Sequence, residues 1–371
     1  MAAIYRAALI GCGRVGTGMD DEVWDRKVKD ESWRVRPCTH AGNYVLHPRT
    51  ELVAGADTSR RRAERFGEKW GVDNLYTDYK EMLREETLDI VSLATPCSLH
   101  HPMTIAAARA GVKAIFCEKP LASSLAEADE MIRVCKENHV KLVVNHTFRF
   151  HPDMPKAKAL IEGGAIGELK TIACYFNHWL VHMGTHLFDL LGYFAGEPDC
   201  VSGYLQGDPA IDADGVGYVR FKNGICSLID GRLKRSPGFL DLMGTEGMIR
   251  FGNDPNYTFE LWVPPEKASH TARHSLEQRI FPGVPDEEEA NGPARGRFVC
   301  PMAINDIIAC LDEDRDSISS GRHARQAMEI YMGMYRSHQL GGCIVKLPNE
   351  DRSLCRPEAI PPWVLEAENA F

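Results

Sequence analysis

The sequence predicts an α/β chain, with a doubly wound parallel sheet in its first half and an α+β second half built on a large, mainly antiparallel sheet. Three observations predict it. An apolar run leads directly into the glycine-rich turn Gly11-Cys12-Gly13-Arg14-Val15-Gly16. Short apolar runs then alternate with helix-like segments as far as Val144, the pattern of parallel strands joined by crossover helices. From about Arg149 the alternation gives way to a helix and a succession of strand-like runs, which suits an antiparallel sheet with helices on one face.

Residues 6–10 form the first strand, and the turn after it has the G-x-G-x-x-G spacing of a dinucleotide-binding fingerprint in the context that fingerprint requires. Gly11 permits the tight turn, Gly13 lets a pyrophosphate approach the backbone, and Gly16 allows helix and strand to touch. Arg14 and Val15 open the helix whose N-terminus would face the phosphates. The acidic partner of such a turn should end the second strand, about 20 residues on. Here residues 51–56 are that strand and Asp57 ends it, so the spacing is too long. Residues 17–39, charged and containing Trp24 and Trp33, account for the excess. Helix resumes at residues 40–46. Asp57 would accept from the adenosine ribose and disfavour a 2′-phosphate, which points to NAD. Arg60 and Arg61 could accommodate NADP, or simply form a solvated first helical turn.

The inserted residues 17–39 are too long and charged for a tight turn. They read as a flap over cofactor or substrate, with Trp24, Trp33, Arg34 or Arg36 in contact, or equally as a subunit contact or disordered surface loop. Farther on, residues 89–94 are a strand ending in Thr95-Pro96, and residues 103–110 a helix closed by Gly111. Residues 113–117 are a buried strand that runs into Glu118-Lys119-Pro120. Lys119 therefore lies at a strand's carboxyl end, where open α/β sheets place their ligand crevice, unless it is only a solvated lysine before a turn. Ser124 and Glu127 form a capping box for a helix with Leu125, Ala128, Ile132 and Cys135 on one face. Residues 140–144 are the next strand, ending in Asn145-His146. His100 and His101 sit at the same crevice edge, where satisfied loop histidines are the alternative to ligand contacts.

In the second half, residues 155–161 are helix-like and residues 170–176 alternate like a strand. Leu187, Leu190, Leu191 and Phe194 mark an amphipathic helix starting near Thr185. His186 falls in its first turn, where the helix dipole disfavours imidazolium and leaves the neutral ring a general base needs. Strand-like runs follow at 201–206, 215–221, 226–233, 239–243 and 248–251. Residues 262–298 are Pro-rich, charged and read as irregular. Residues 302–311 and 324–339 read as helices, and 343–347 as a last strand.

At 371 residues the chain suits two domains, and a composition of 44% hydrophobic and 26% charged residues is ordinary for a globular protein. A formal charge of −9 gives no basic footprint for nucleic acid or anionic membrane. No apolar run reaches the length of a membrane span, and the start lacks signal-peptide character. Twelve cysteines without a CxxC pair argue against disulfides and a zinc site, and for a cytoplasmic protein. His182 and His186 have the spacing of a helical metal pair. Gly184 between them, and the missing glutamate of an H-E-x-x-H motif, weigh against it, so no metal is expected.

The ordering of these elements resembles the glucose–fructose oxidoreductase / inositol dehydrogenase / rhizopine catabolism (Gfo/Idh/MocA) family over nearly the whole chain. It does so through the glycine turn, Ala94-Thr95-Pro96, Glu118-Lys119-Pro120, Gly184-x-His186-x-x-Asp189, the Gly244–Gly247 turn and Ala324-Arg325. The resemblance implies a Rossmann NAD(P)-binding domain, residues 1–148 with 17–39 inserted. It also implies an open-faced α+β domain, 149–371, for substrate binding and homo-oligomerisation as dimer or tetramer. It implies hydride transfer between NAD, or NADP, and a sugar or cyclitol. Cofactor contacts would come from Gly11, Gly13, Arg14, Val15, Gly16, Asp57, Thr95, Pro96, His100, Glu118, Lys119 and Asn145. The family's usual site pairs the lysine with an aspartate and a histidine four residues apart; carried over, these are Lys119 and His186, while His182 occupies the aspartate position. His186 is expected as base, Lys119 as the group that orients the hydroxyl, and His182 as a relay or hydroxyl ligand. Arg149 would hold a substrate hydroxyl or phosphate, or else an interdomain ion pair. Asp189 would brace the helix start. A glycoside-cleaving enzyme that oxidises transiently with bound NAD, and a non-catalytic nucleotide-sensing regulator, are the alternatives of other kinds.

Overall fold

The computed structural model describes residues 3–20, 37–177, 179–207, 212–233, 238–253, 259–265, 277–281, 300–352 and 354. Trp24, Trp33, Arg34 and Arg36, the contacts expected of a flap, lie outside the described residues. The chain divides into two compact units. One takes the described residues of 1–150 and 293–325, the other those of 151–292 and 326–352.

The first unit is built on six parallel strands in the order β3-β2-β1-β4-β5-β6. They are β1 (Tyr5–Ile10), β2 (Thr50–Ala56), β3 (Asn74–Tyr76), β4 (Ile90–Leu93), β5 (Ala114–Cys117) and β6 (Lys141–Val144). The order reverses between β1 and β4, the point at which such sheets bind ligands. A π-helical turn, Arg14–Gly18 (α1), follows the glycine loop, and α2 (His40–Leu46) begins where the insertion ends. Then come α3 (Arg60–Trp70), α4 (Tyr79–Glu85), α5 (His100–Arg109) and α6 (Leu125–Glu137). Ser124 caps α6 by accepting the Glu127 N–H at 3.2 Å. Glu127 reaches back to the Ser123 N–H at 2.9 Å, one residue earlier than a strict capping box. One face of the sheet carries two adjoining clusters, the first of Leu9, Ala41 and Phe66, the second of Ile90, Phe116 and Val143 together with Ile304 and Ile307.

Those last two residues belong to a late helix that the alternation assigned to the second half. It spans Cys300–Glu313 and clusters with the first unit, as does Ser319, whose carbonyl accepts the Val144 N–H at 2.8 Å. Its apolar stripe completes a core that the parallel sheet leaves open.

The second unit has nine strands in the order β14-β13-β12-β11-β7-β10-β9-β8-β15. They are β7 (Leu169–Tyr175), β8 (Pro198–Gln206), β9 (Asp214–Phe221), β10 (Cys226–Asp230), β11 (Gly238–Gly244), β12 (Met248–Asn253), β13 (Phe259–Val263), β14 (Glu277–Phe281) and β15 (Val345–Lys346). Pairing is antiparallel except between β7 and β10. β13 and β14 correct the expectation that 262–298 is irregular throughout, because β12 supplies a partner that extends the sheet. The helices here are α7 (Asp153–Glu162), α8 (Gly184–Ala195) and most of α10 (Gly321–Gln339), with Cys300–Glu313 as α9 between the last two. Gly203 and Gly217 face α10, where a Cβ would lie 2.8 and 2.6 Å from Met334. Strand alternation turns Tyr204 and Leu228 to the opposite face, where they are 58% and 51% exposed.

Candidate active site

The glycine turn is shaped by what it must touch. Gly11 adopts φ +96°, and a Cβ there would lie 2.5 Å from the Ala94 carbonyl at the end of β4. A Cβ on Gly16 would lie 2.2 Å from the Gly11 carbonyl, whereas nothing stands within 4 Å of one on Gly13. The backbone is therefore open to a pyrophosphate at Gly13, beside the half-exposed Arg14 and Val15. Asp57 closes the turn: its Oδ2 accepts the Cys12 N–H at 3.0 Å and its Oδ1 the Ser59 N–H at 2.8 Å. A carboxylate has about four acceptor sites, so two remain for ribose hydroxyls.

Sequence reasoning missed part of this neighbourhood. Arg62, Arg65 and Lys69 line a small cavity with Cys12, Gly13, Thr17 and Gly18. Arg62 stands 3.9 Å from Asp57, and Lys69 Nζ donates to the Thr17 carbonyl at 2.8 Å. Their i, i+3, i+7 spacing was the available signal. Arg60 and Arg61 are exposed and do not line the cavity.

The ends of β4, β5 and β6 carry the other expected contacts of the first unit. Thr95 and Pro96 follow β4. His100 is fully buried, with Nε2 at 2.9 Å from the Thr95 carbonyl and Nδ1 at 3.0 Å from that of Pro120. Burial pushes its pKa down, and it braces the loop after β4 against the loop bearing Lys119. His101 instead faces Glu130 at 2.9 Å. Glu118 accepts from Asn145 Nδ2 at 2.6 Å and lies 3.0 Å from His40 Nε2. Burial would raise its pKa, but the His40 hydrogen bond and charge, Lys119 and Asn145 together hold it at about 2. Asn145 is 4% exposed, and its Oδ1 has no hydrogen-bond partner among the described residues, as suits an acceptor for a ligand amide or hydroxyl. The open Gly13, the Asp57 carboxylate and this Asn145 oxygen together fit a dinucleotide. Arg149 is 3% exposed and donates to the Ile318 carbonyl at 3.2 Å, within the same unit.

In the second unit His186 lies in the first turn of α8, 8% exposed, its N–H accepted by the Met183 carbonyl at 3.2 Å. Gly184 has no Cβ to collide with Phe176, which would be 2.9 Å away. His182 is half-buried on the preceding turn, its ring 6.2 Å from that of Trp179. That turn is held from below. Asp212 accepts the Val181 and His182 N–H groups at 2.8 and 2.6 Å, and Asp214 accepts that of Trp179 at 2.9 Å. Tyr335 on α10 accepts the Ala213 N–H at 2.9 Å. No local spacing reveals these anchors, because they lie 30 or more residues along the chain. Asp189 is 1% exposed. Among the described residues no three His, Cys, Asp or Glu side chains are grouped to hold a metal.

The sequence model of the oxidoreductase family with an NAD-binding Rossmann fold, GFO/IDH/MocA, matches residues 5–146, and that of the family's C-terminal alpha/beta domain matches 178–347. D-apiose dehydrogenase of Paraburkholderia graminis is 38% identical over 321 residues, 78% of this chain and 82% of that protein. Myo-inositol 2-dehydrogenase of Thermotoga maritima is 26% identical over 270 residues, 66% of this chain and 74% of that protein. Levoglucosan dehydrogenase, solved with NADH and levoglucosan, shares the fold with a TM-score of 0.75 at 20% identity, covering 93% of this chain and 100% of that one. The glycine turn closed by Asp57, the Glu-Lys-Pro strand end and both domain matches make this chain a member of the GFO/IDH/MocA oxidoreductase family, an NAD-dependent dehydrogenase.

Proposed function

We propose that the protein interconverts a secondary alcohol and a ketone on a sugar, sugar derivative or cyclitol, with NAD and secondarily NADP. The observation that carries this reading is Lys119 at the carboxyl end of β5, its N–H donating to the Glu118 carboxylate at 3.2 Å. The names of the relatives support the substrate class: inositol, apiose and levoglucosan all present ring or chain secondary hydroxyls. Bound NAD supplies the hydride acceptor. His186 is assigned the proton of the reacting hydroxyl, and Lys119 its orientation and the stabilisation of developing alkoxide charge. His182, in place of the family's aspartate, is assigned a neighbouring hydroxyl or the onward proton.

The test is absorbance of reduced nicotinamide across sugars, cyclitols and their phosphates with both cofactors. Turnover of at least one of them is expected, and none on the whole panel would defeat the reading. Lys119→Ala and His186→Ala should each lower kcat by about 10²-fold or more with NAD affinity nearly kept. Normal turnover in either variant removes that residue from the assignment. Self-association is proposed through the sheet face that exposes Tyr204 and Leu228. Leu228→Glu should lower the mass measured by light scattering, and an unchanged mass would reject that face.

A further inference from the structure

Elements from three stretches of the first unit close on Glu118. His40, on α2, is 1% exposed with its ring 4.6 Å from that of Phe116. Its Nδ1 lies 3.0 Å from Ser92 Oγ on β4, which lies 2.8 Å from Tyr44 Oη. With Glu118 ionised, His40 Nε2 must carry a proton to make its 3.0 Å contact with Oε1. From His40 Nδ1 the contacts continue through Ser92 Oγ to Tyr44 Oη, so the histidine is held at both ring nitrogens. Asn145 donates to the same Oε1, while Oε2 is left to the Lys119 N–H. The other titratable groups acting on Glu118 or feeling it are His100 and Cys117. Burial pushes the His100 imidazole down and the Cys117 thiol up, so both are neutral near pH 7. A carboxylate withdrawn from water is costly unless donors and positive charge answer it, and His40, Lys119 and Asn145 together do so.

We propose that Glu118, clamped by His40 and Asn145, is the positioning residue for Lys119: it fixes the lysine's main chain and keeps its side chain an ammonium. This rests on the reading of Lys119 as the residue that meets the substrate oxygen. His40 touches neither substrate nor hydride in this scheme and acts only through Glu118.

The test measures Lys119 itself and needs no substrate. Trace acetylation with acetic anhydride across pH, read on the Lys119 peptide by mass spectrometry, gives its pKa in the full-length wild type and in Glu118→Gln, His40→Leu and His40→Gln. Removing a neighbouring negative charge destabilises an ammonium, so Glu118→Gln should lower the pKa by about one unit, a roughly tenfold faster labelling below it. His40→Leu should move it the same way by less. His40→Gln, which keeps a donor at the position of Nε2, should restore it. The same pKa in wild type and Glu118→Gln overturns the proposal, and no shift in His40→Leu removes His40 from it. Thermal unfolding shows each variant to be folded, and the near-isosteric Glu118→Gln decides alone if His40→Leu is not. Where a sugar is turned over, kcat should fall about 10–100-fold in Glu118→Gln, and the alkaline limb of its pH profile should move to lower pH. An active Lys119→Ala would instead defeat the catalytic reading of Lys119, while the labelling result still stands.

Discussion

Asp57 accepts the Cys12 and Ser59 N–H groups and keeps acceptor sites free for a ribose. Asp57→Ala should therefore loosen the glycine turn and remove the ribose partner together. We expect NAD affinity to fall about tenfold or more, the scale of one charge-assisted hydrogen bond. NADP should lose less, because the carboxylate no longer repels its 2′-phosphate while Arg62, Arg65 and Lys69 remain. Fluorescence titration with both cofactors checks this, and an equal loss for both would reject the discriminating role. Asp57 was legible in the sequence despite the insertion because it ends a clear strand. Asp212 was not: its value lies in two N–H groups 30 and 31 residues away, a pairing that only the folded β9 edge creates.

The turn before α8 is the element most dependent on such remote support. Asp212→Ala would strip acceptors from the Val181 and His182 N–H groups together, and Asp212 itself is only 9% exposed. We expect a loss of about 2–4 kcal/mol in chemical denaturation. A loss below about 0.5 kcal/mol, the level of an ordinary surface change, would mean that water replaces the carboxylate. Periodicity located α8, α6 and five of the six strands of the parallel sheet to within a few residues, because each has its own apolar pattern, whereas β3, three residues at the sheet edge, is too short to show one. β13 and β14 lay hidden for the opposite reason. They are five residues each, separated by polar sequence, and become strands by pairing in register with β12 and with each other. α9 was recognised as a helix but assigned to the second half, since a stripe such as Ile304 and Ile307 does not say which core it fills.

For the molecule as a whole, acid is the expected weakness. His151 is 7% exposed, and burial lowers its pKa to about 4. The unfolded chain thus takes up a proton near the ordinary histidine pKa of about 6.5, and the folded chain does so only near 4. Stability from this group is complete above about pH 6.5 and is lost progressively towards pH 4, by about 2–4 kcal/mol. His151→Asn keeps an acceptor for the Asp153 N–H and should flatten urea midpoints between pH 7 and 5. Parallel midpoint curves for both proteins would show that His151 is not the source. Glu118 adds a second decline at lower pH, its stabilising ionisation being lost between about 4.3 and 2.

Asp20 carries one more implication. Its carboxylate binds the Cys38 N–H at 2.8 Å and the Thr39 hydroxyl, joining the stretch after the glycine turn to the start of α2. The distance between Asp20 and Cys38 is thus set by this staple itself, independently of the chain that joins them, and Asp20→Ala should lower the melting temperature by a few degrees, whereas an unchanged value would show the staple to be dispensable.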